Sequence, residues 1–153
     1  MKKVYFIVGI IILTGIIYYT GLYTYFVRTE VQEAPPLPSL ATSQKVLAIG
    51  SFGEIDFIHK GSGYAKLIEV GDKKFLRFEN FEVVNGPDLY VYLSKSASPT
   101  GKIESLGDYI DLGRLKGTIG NQNYELPQNI NGYKTAIVWC KRYGVLFTYA
   151  VMQ

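Results

Sequence analysis

Cys140 and His59 are the residues whose types point most directly to chemistry, and each occurs once in the chain. A lone thiol is a redox group, a metal ligand or a small buried hydrophobe. One cysteine excludes an intramolecular disulfide framework and any multi-cysteine metal site. Strand alternation over Thr135–Tyr143 places Ala136, Val138 and Cys140 on one face and Ile137, Trp139 and Lys141 on the other. Lys141 is then poorly placed to help the thiol. Arg142 shares the face of Cys140 and is the cation expected to favour its thiolate. The competing reading makes Cys140 part of a sandwich core. One thiol cannot run a dithiol cycle alone, so electron transfer would need an intermolecular disulfide, a bound metal or a haem from a partner. His59 stands before Gly61-Ser62-Gly63 and reads as a turn histidine, with metal binding as its sharper alternative. With Met1 and Met152 as the only thioethers, it gives no haem or copper site by itself.

Two polar groups remain. Asn85-Gly86-Pro87-Asp88 has turn composition, and the alternative role of Asp88 is a carboxylate that fixes a partner or cation at a strand entrance. Gly120-Asn121-Gln122-Asn123-Tyr124 is an amide cluster. It reads as a loop that satisfies buried backbone, with a recognition rim formed by Asn121 and Asn123 as the alternative. Hydrolytic chemistry finds little support, since no GxSxG elbow is present and His59 alone could act as base. The scattered acids Asp56, Asp88, Asp108 and Asp111 do not form a calcium loop, and no glycine-rich phosphate loop occurs.

The elements that hold these residues divide the chain in two. The 153 residues are 48% hydrophobic, and the apolar excess lies near the N-terminus. Val4–Val27 carries no charge and, at about 1.5 Å per residue, is long enough as a helix to span a bilayer of roughly 30 Å. Tyr18, Tyr19, Tyr23, Tyr25 and Phe26 crowd its second half as an aromatic belt does. Lys2 and Lys3 favour a cytoplasmic N-terminus and an outer C-terminal domain. A cleaved signal peptide is the rival reading, but the run is longer than a signal core and no A-x-A pattern closes it. The expected organisation is a cytoplasmic end at 1–3, a transmembrane helix at 4–27, a proline-rich spacer at 28–43 and an outer domain at 44–153. Ala34–Ser43 would hold that domain up to about 30 Å off the membrane in extended polyproline geometry.

From Gln44 onward the chain is nearly neutral, which argues against nucleic acid as a partner. Tyr64–Val70, Phe75–Glu79, Leu89–Leu93, Thr135–Tyr143 and Val145–Val151 alternate apolar and polar residues between Gly, Pro, Asn and Asp. That pattern predicts an all-β antiparallel sandwich or barrel, with the tyrosines in core and cross-strand packing.

Several blocks occur in one order through this region. They are Gly50-Ser51-Phe52, His59–Ala65, Leu76–Phe81, Asn85–Leu93, Leu112–Gly117, Gly120–Pro127 and Val138–Tyr143. Their combination, with GPDLYVYL, LGRLKG, GNQNYELP and VWCKRY, resembles the DM-thirteen domain family, a module found beside DOMON domains and known as an electron-transfer domain. Thr118 departs from the asparagine expected after LKG, in a turn. The resemblance implies an all-β domain and a redox role centred on Cys140, without a defined substrate or cofactor. It also implies a redox partner protein or a haem- or flavin-bearing carrier. A non-catalytic binding or adhesion module, with Cys140 structural, is the alternative.

Overall fold

The computed structural model describes residues 2–21, 23, 27–36 and 44–153. Helix α1, Lys2–Thr20, is apolar on every side and none of its residues is buried. Its 19 residues span about 28 Å, close to the thickness of a bilayer core. By length and composition it could cross a membrane. It is shorter than the expected 4–27 segment; Gly21 turns after it, and residues 22 and 24–26 lie outside the described residues.

Nine strands follow among the described residues: β1 Glu30–Gln32, β2 Gln44–Ser51, β3 Gly61–Val70, β4 Lys73–Val83, β5 Leu89–Ser94, β6 Tyr109–Arg114, β7 Ile119–Leu126, β8 Thr135–Cys140 and β9 Val145–Val151. They form a five-stranded sheet in the order β1-β7-β4-β3-β2 and a four-stranded sheet in the order β6-β5-β8-β9. The expected all-β sandwich is therefore the observed fold. One free edge is closed where Ile49 and Gln153 exchange backbone hydrogen bonds of 3.0 and 3.1 Å, which ties the two sheets together.

The inner faces meet over an aromatic centre. Phe78 is fully buried, with ring centroids of Phe52 and Phe81 at 4.8 Å and of Tyr124 at 5.5 Å. Strand β8 is buried on both faces. Ala136, Val138 and Cys140 join the core between the sheets. Ile137 and Trp139 join a second cluster with Tyr92 and Leu146, covered by Leu106 from a 3-10 turn at Ile103–Leu106. The period-two reading of this strand thus describes two cores rather than one core and one wet face.

The segment expected as a free spacer is built differently. Glu30–Gln32 is a strand, paired in parallel with β7 while every other named pair is antiparallel. The residues on either side of it are fastened too. Thr118, the departure in the LKG block, donates its backbone N–H to the Thr29 carbonyl at 2.8 Å. Ala34 accepts from Asn123 Nδ2 at 2.8 Å. These hydrogen bonds hold residues 29–34 against β7, ahead of Pro35 and Pro36. The remainder of the spacer, residues 37–43, lies outside the described residues.

Candidate functional site at the Cys140 end of the sandwich

Strand β8 ends at Cys140, and the chain reverses through Lys141–Gly144 into β9. Gly144 closes this turn with a 2.9 Å bond from its N–H to the Cys140 carbonyl, at φ +63°, where glycine carries no Cβ penalty. Cys140 is opposite Leu89 on β5 and Val145 on β9, and no part of it is exposed. The thiol is free and enclosed by apolar side chains.

Its neighbours take separate paths. Trp139 faces the second cluster and is 3% exposed, so it packs and does not share a surface with the thiol. Lys141 turns to the outer face, donating to Asp111 Oδ2 at 2.7 Å with its ammonium 3.7 Å from the Tyr90 ring centre. The hydrogen bond to Asp111 holds the Lys141 ammonium above its ordinary pKa. Arg142 is not a strand neighbour of Cys140, because β8 has already ended. It stands in the turn and donates from Nη1 to the Tyr19 carbonyl at 3.3 Å. Beside it Tyr143 donates its hydroxyl to the Thr20 carbonyl at 2.7 Å. The last carbonyls of a helix lack intrahelical partners, and a cation there also meets the negative end of the helix dipole. This turn therefore caps α1.

Asp88 lies close by. Its carbonyl accepts from the Lys141 N–H at 3.0 Å, and its Oδ1 is 3.0 Å from Arg114 Nη2, an ion pair rather than an aligned hydrogen bond. A cleft of about 220 Å³ runs between Asn85–Leu89 and Arg114–Thr118, with Val27 on its rim. The GPDLYVYL and LGRLKG blocks thus face each other across one opening, beside the strand pair that encloses Cys140.

His59 is elsewhere at the same end. Its ring lies edge-on to Phe147 with centroids 4.7 Å apart, and its Nδ1 is 2.7 Å from Asp56 Oδ2. Asp56 Oδ1 also accepts from the backbone of Ile58 at 2.7 Å and of His59 at 2.8 Å. The His59 side chain and these N–H groups draw the Asp56 pKa down from 3.8 to about 2. A depressed carboxylate contributes its full stabilisation above the unfolded value and loses it as pH falls through the folded one. The Glu54–Lys60 loop is accordingly expected to stay locked at pH 4 and to release near pH 2, where a carbon-detected titration of Asp56 should show its midpoint. A midpoint near 3.8 would contradict the lock.

Asn121 and Asn123 belong to strand β7, not to a loop. Burial alternates along β7, with Gln122 and Tyr124 inward and the two asparagines on the outer face. Gln122 is fully buried and satisfied: its Nε2 donates to the Gly117 carbonyl at 2.6 Å and its Oε1 accepts from Tyr124 at 2.7 Å. That arrangement lets an amide-rich run occupy an interior strand. Asn121 Nδ2 donates to Gln32 Oε1 at 2.9 Å, so both asparagines hold the β1 segment. They are not brought near Cys140.

Sequence reasoning missed the centre of that latch. Arg77, 3% exposed, donates to Glu79 at 2.8 Å, to Asn123 Oδ1 at 2.7 Å and to the Glu33 carbonyl at 3.2 Å. The Glu33 carboxylate accepts from Lys116 Nζ at 2.7 Å and from the Asn123 N–H at 2.7 Å. Burial pushes the Glu33 pKa up, but Lys116 and Asn123 outweigh it and hold it below 4.5. Among the described residues no three His, Cys, Asp or Glu side chains gather as a metal site.

The sequence model described as electron transfer DM13 matches residues 52–152, well over half of the chain. The chain belongs to the electron transfer DM13 family. That membership supports a redox-related role and is compatible with a redox partner. The matched DM13 segment contains Cys140, Asp88 and the Asp56–His59 pair, whereas α1 and β1 precede it. No curated protein and no solved structure matches the chain.

Proposed function

We propose that this DM13 protein is a membrane-anchored redox accessory, with α1 in the bilayer, its N-terminus cytoplasmic and the sandwich outside. The observation that carries the proposal is the position of Cys140, the one thiol in the matched DM13 segment. It is the last residue of β8, directly before a turn bonded to the end of α1. Fraying of the end of β8 together with Lys141–Gly144 is the local motion by which a partner would reach Sγ.

In the reaction we assign, the Cys140 thiolate attacks one sulfur of a partner's disulfide. The partner's S–S bond breaks, a mixed disulfide forms and the second partner sulfur leaves as a thiolate. A dithiol donor then attacks the Cys140 sulfur, releasing the first partner fully reduced. The donor's second thiol closes its own disulfide and returns Cys140 as a thiol. Two electrons and two protons pass from dithiol to disulfide. Asp88 and Arg114 flank the cleft over which a partner would approach, and Arg142 holds the turn that must open. His59, Asn121 and Asn123 serve the scaffold in this reading, and Trp139 fixes the strand from its other face.

A second reading makes the domain a non-catalytic binding module whose cysteine is core packing; full enclosure of Cys140 favours it. Labelling the full-length protein in membranes with a thiol reagent, without denaturant, separates the two. Slow labelling at Cys140 is expected, together with a trapped mixed disulfide. Complete protection would remove the reactive thiol. A Cys140→Ser chain whose only change is a loss of about 1–3 kcal/mol of stability, with the parent chain no more reactive toward an oxidant than the variant, would support the binding module.

A further inference from the structure

The Glu54–Lys60 loop displays large apolar side chains on a rigid base. Phe57 is 88% exposed and Ile58 is 59% exposed. Three bonds to Asp56 and the contact between His59 and Phe147 fix the backbone behind them. An adjacent aromatic and aliphatic pair held outward on a locked turn presents apolar surface that an apolar environment would cover.

The loop stands at the end of the sandwich from which α1 leaves. Arg28, a few residues after the helix, lines a cleft of about 450 Å³ together with Glu54, Lys60 and Asn85. Val84 donates to the Lys60 carbonyl at 3.1 Å, and Asn85 Nδ2 bonds the Val27 carbonyl. The Lys141–Gly144 turn caps the last carbonyls of α1 at this same end. Because the end of α1 is bonded to this end of the sandwich through Arg142 and Tyr143, a bilayer around the helix would lie beside these loops. Lys60 lies 5.2 Å from the Phe57 ring centre and 3.2 Å from Glu54, Arg28 pairs with Glu82 at 3.0 Å, and Arg142 flanks the same end. Cations beside aromatic and aliphatic tips suit the layer between headgroups and acyl chains.

We infer that Phe57 and Ile58 enter the interfacial layer of the bilayer that α1 crosses, giving the domain a second foothold beside its helix. The inference rests on the reading of α1 as a membrane span. The two contacts together fix the sandwich with its Cys140 end down, so a partner would reach the β8–β9 turn along the membrane surface.

The test uses the full chain in bilayers of phosphatidylcholine with brominated acyl chains. Tryptophan is introduced at the loop by Phe57→Trp and at the far end of the sandwich by Asp72→Trp, and the signal of native Trp139 is subtracted. Phe57→Trp is expected to lose about half of its emission to bromine and to shift to the blue, as a side chain within the interfacial layer does. Asp72→Trp is expected to remain unquenched. If α1 resists carbonate extraction while Phe57→Trp stays unquenched, the inference fails and the loop faces a protein partner. Equal quenching at both positions also overturns it. Release of the whole chain by carbonate defeats the membrane reading itself.

Discussion

Replacing Phe78 with alanine is expected to cost about 3–5 kcal/mol of folding stability and to leave the rate of Cys140 labelling nearly unchanged. The cost follows from position: Phe78 is fully buried and touches Phe52, Phe81 and Tyr124, so its loss empties the centre between the sheets. The labelling result follows from the proposed route, in which the Lys141–Gly144 turn opens locally. Local opening does not pass through the Phe78 contacts. If the thiol were reached only by global unfolding, the same substitution would speed labelling by roughly a hundred- to five-thousandfold, at one factor of ten per 1.36 kcal/mol. Urea midpoints and labelling time courses on the two chains give both quantities. Acceleration of that size would make Cys140 a core residue and return the domain to the binding reading.

An Arg77→Leu chain is expected to lose about 3 kcal/mol, because the buried guanidinium gives up its ion pair with the partly exposed Glu79 together with its bonds to Asn123 and the Glu33 carbonyl. Glu79 keeps Lys66, which places the loss at the lower end of the range for such pairs. The loss should be local in its first effect. Arg77 bonds the Glu33 carbonyl and orients Asn123, so its removal frees the β1 segment from β7. Amide hydrogen exchange should show protection lost at Glu33 and kept at Leu76 and Val138. Unchanged protection at Glu33 would disprove the latch. Acid should act in the same direction. Burial raises the Glu79 pKa, but Lys66 and Arg77 hold it below 4.5, as Lys116 holds that of Glu33. Both carboxylates therefore support the latch fully above 4.5 and withdraw support as pH falls below it.

The parts of this fold that were legible in the sequence are those where alternation is unbroken. Leu89–Leu93 and Val145–Val151 read as strands because each apolar side chain faces a core. Strand β7 did not, because Asn121, Gln122 and Asn123 carry no apolar signal. Gln122 is interior only because Gly117 and Tyr124 satisfy it, a condition no window of sequence contains. Strand β1 has three residues, too few for any period, and its place is set by side chains from β4 and β7 distant in the chain. The candidate site was legible in type and not in geometry. Cys140 and Asp88 were named and lie close, but the end of β8 sent Arg142 toward the helix instead of the thiol. Asp56 and His59 were both visible, three residues apart, and that spacing was the available sign of their bond.

The parallel rungs of β1 have a mechanical consequence. With a slack tether, a pull or twist on the helix would be absorbed by uncoiling before the domain felt it. Here the load reaches the sheet edge in shear through Glu30–Gln32, with the Glu33–Lys116 bond as its backstop. A pull on the segment before β1 is thereby spread along the edge of the five-stranded sheet instead of falling on a single bond.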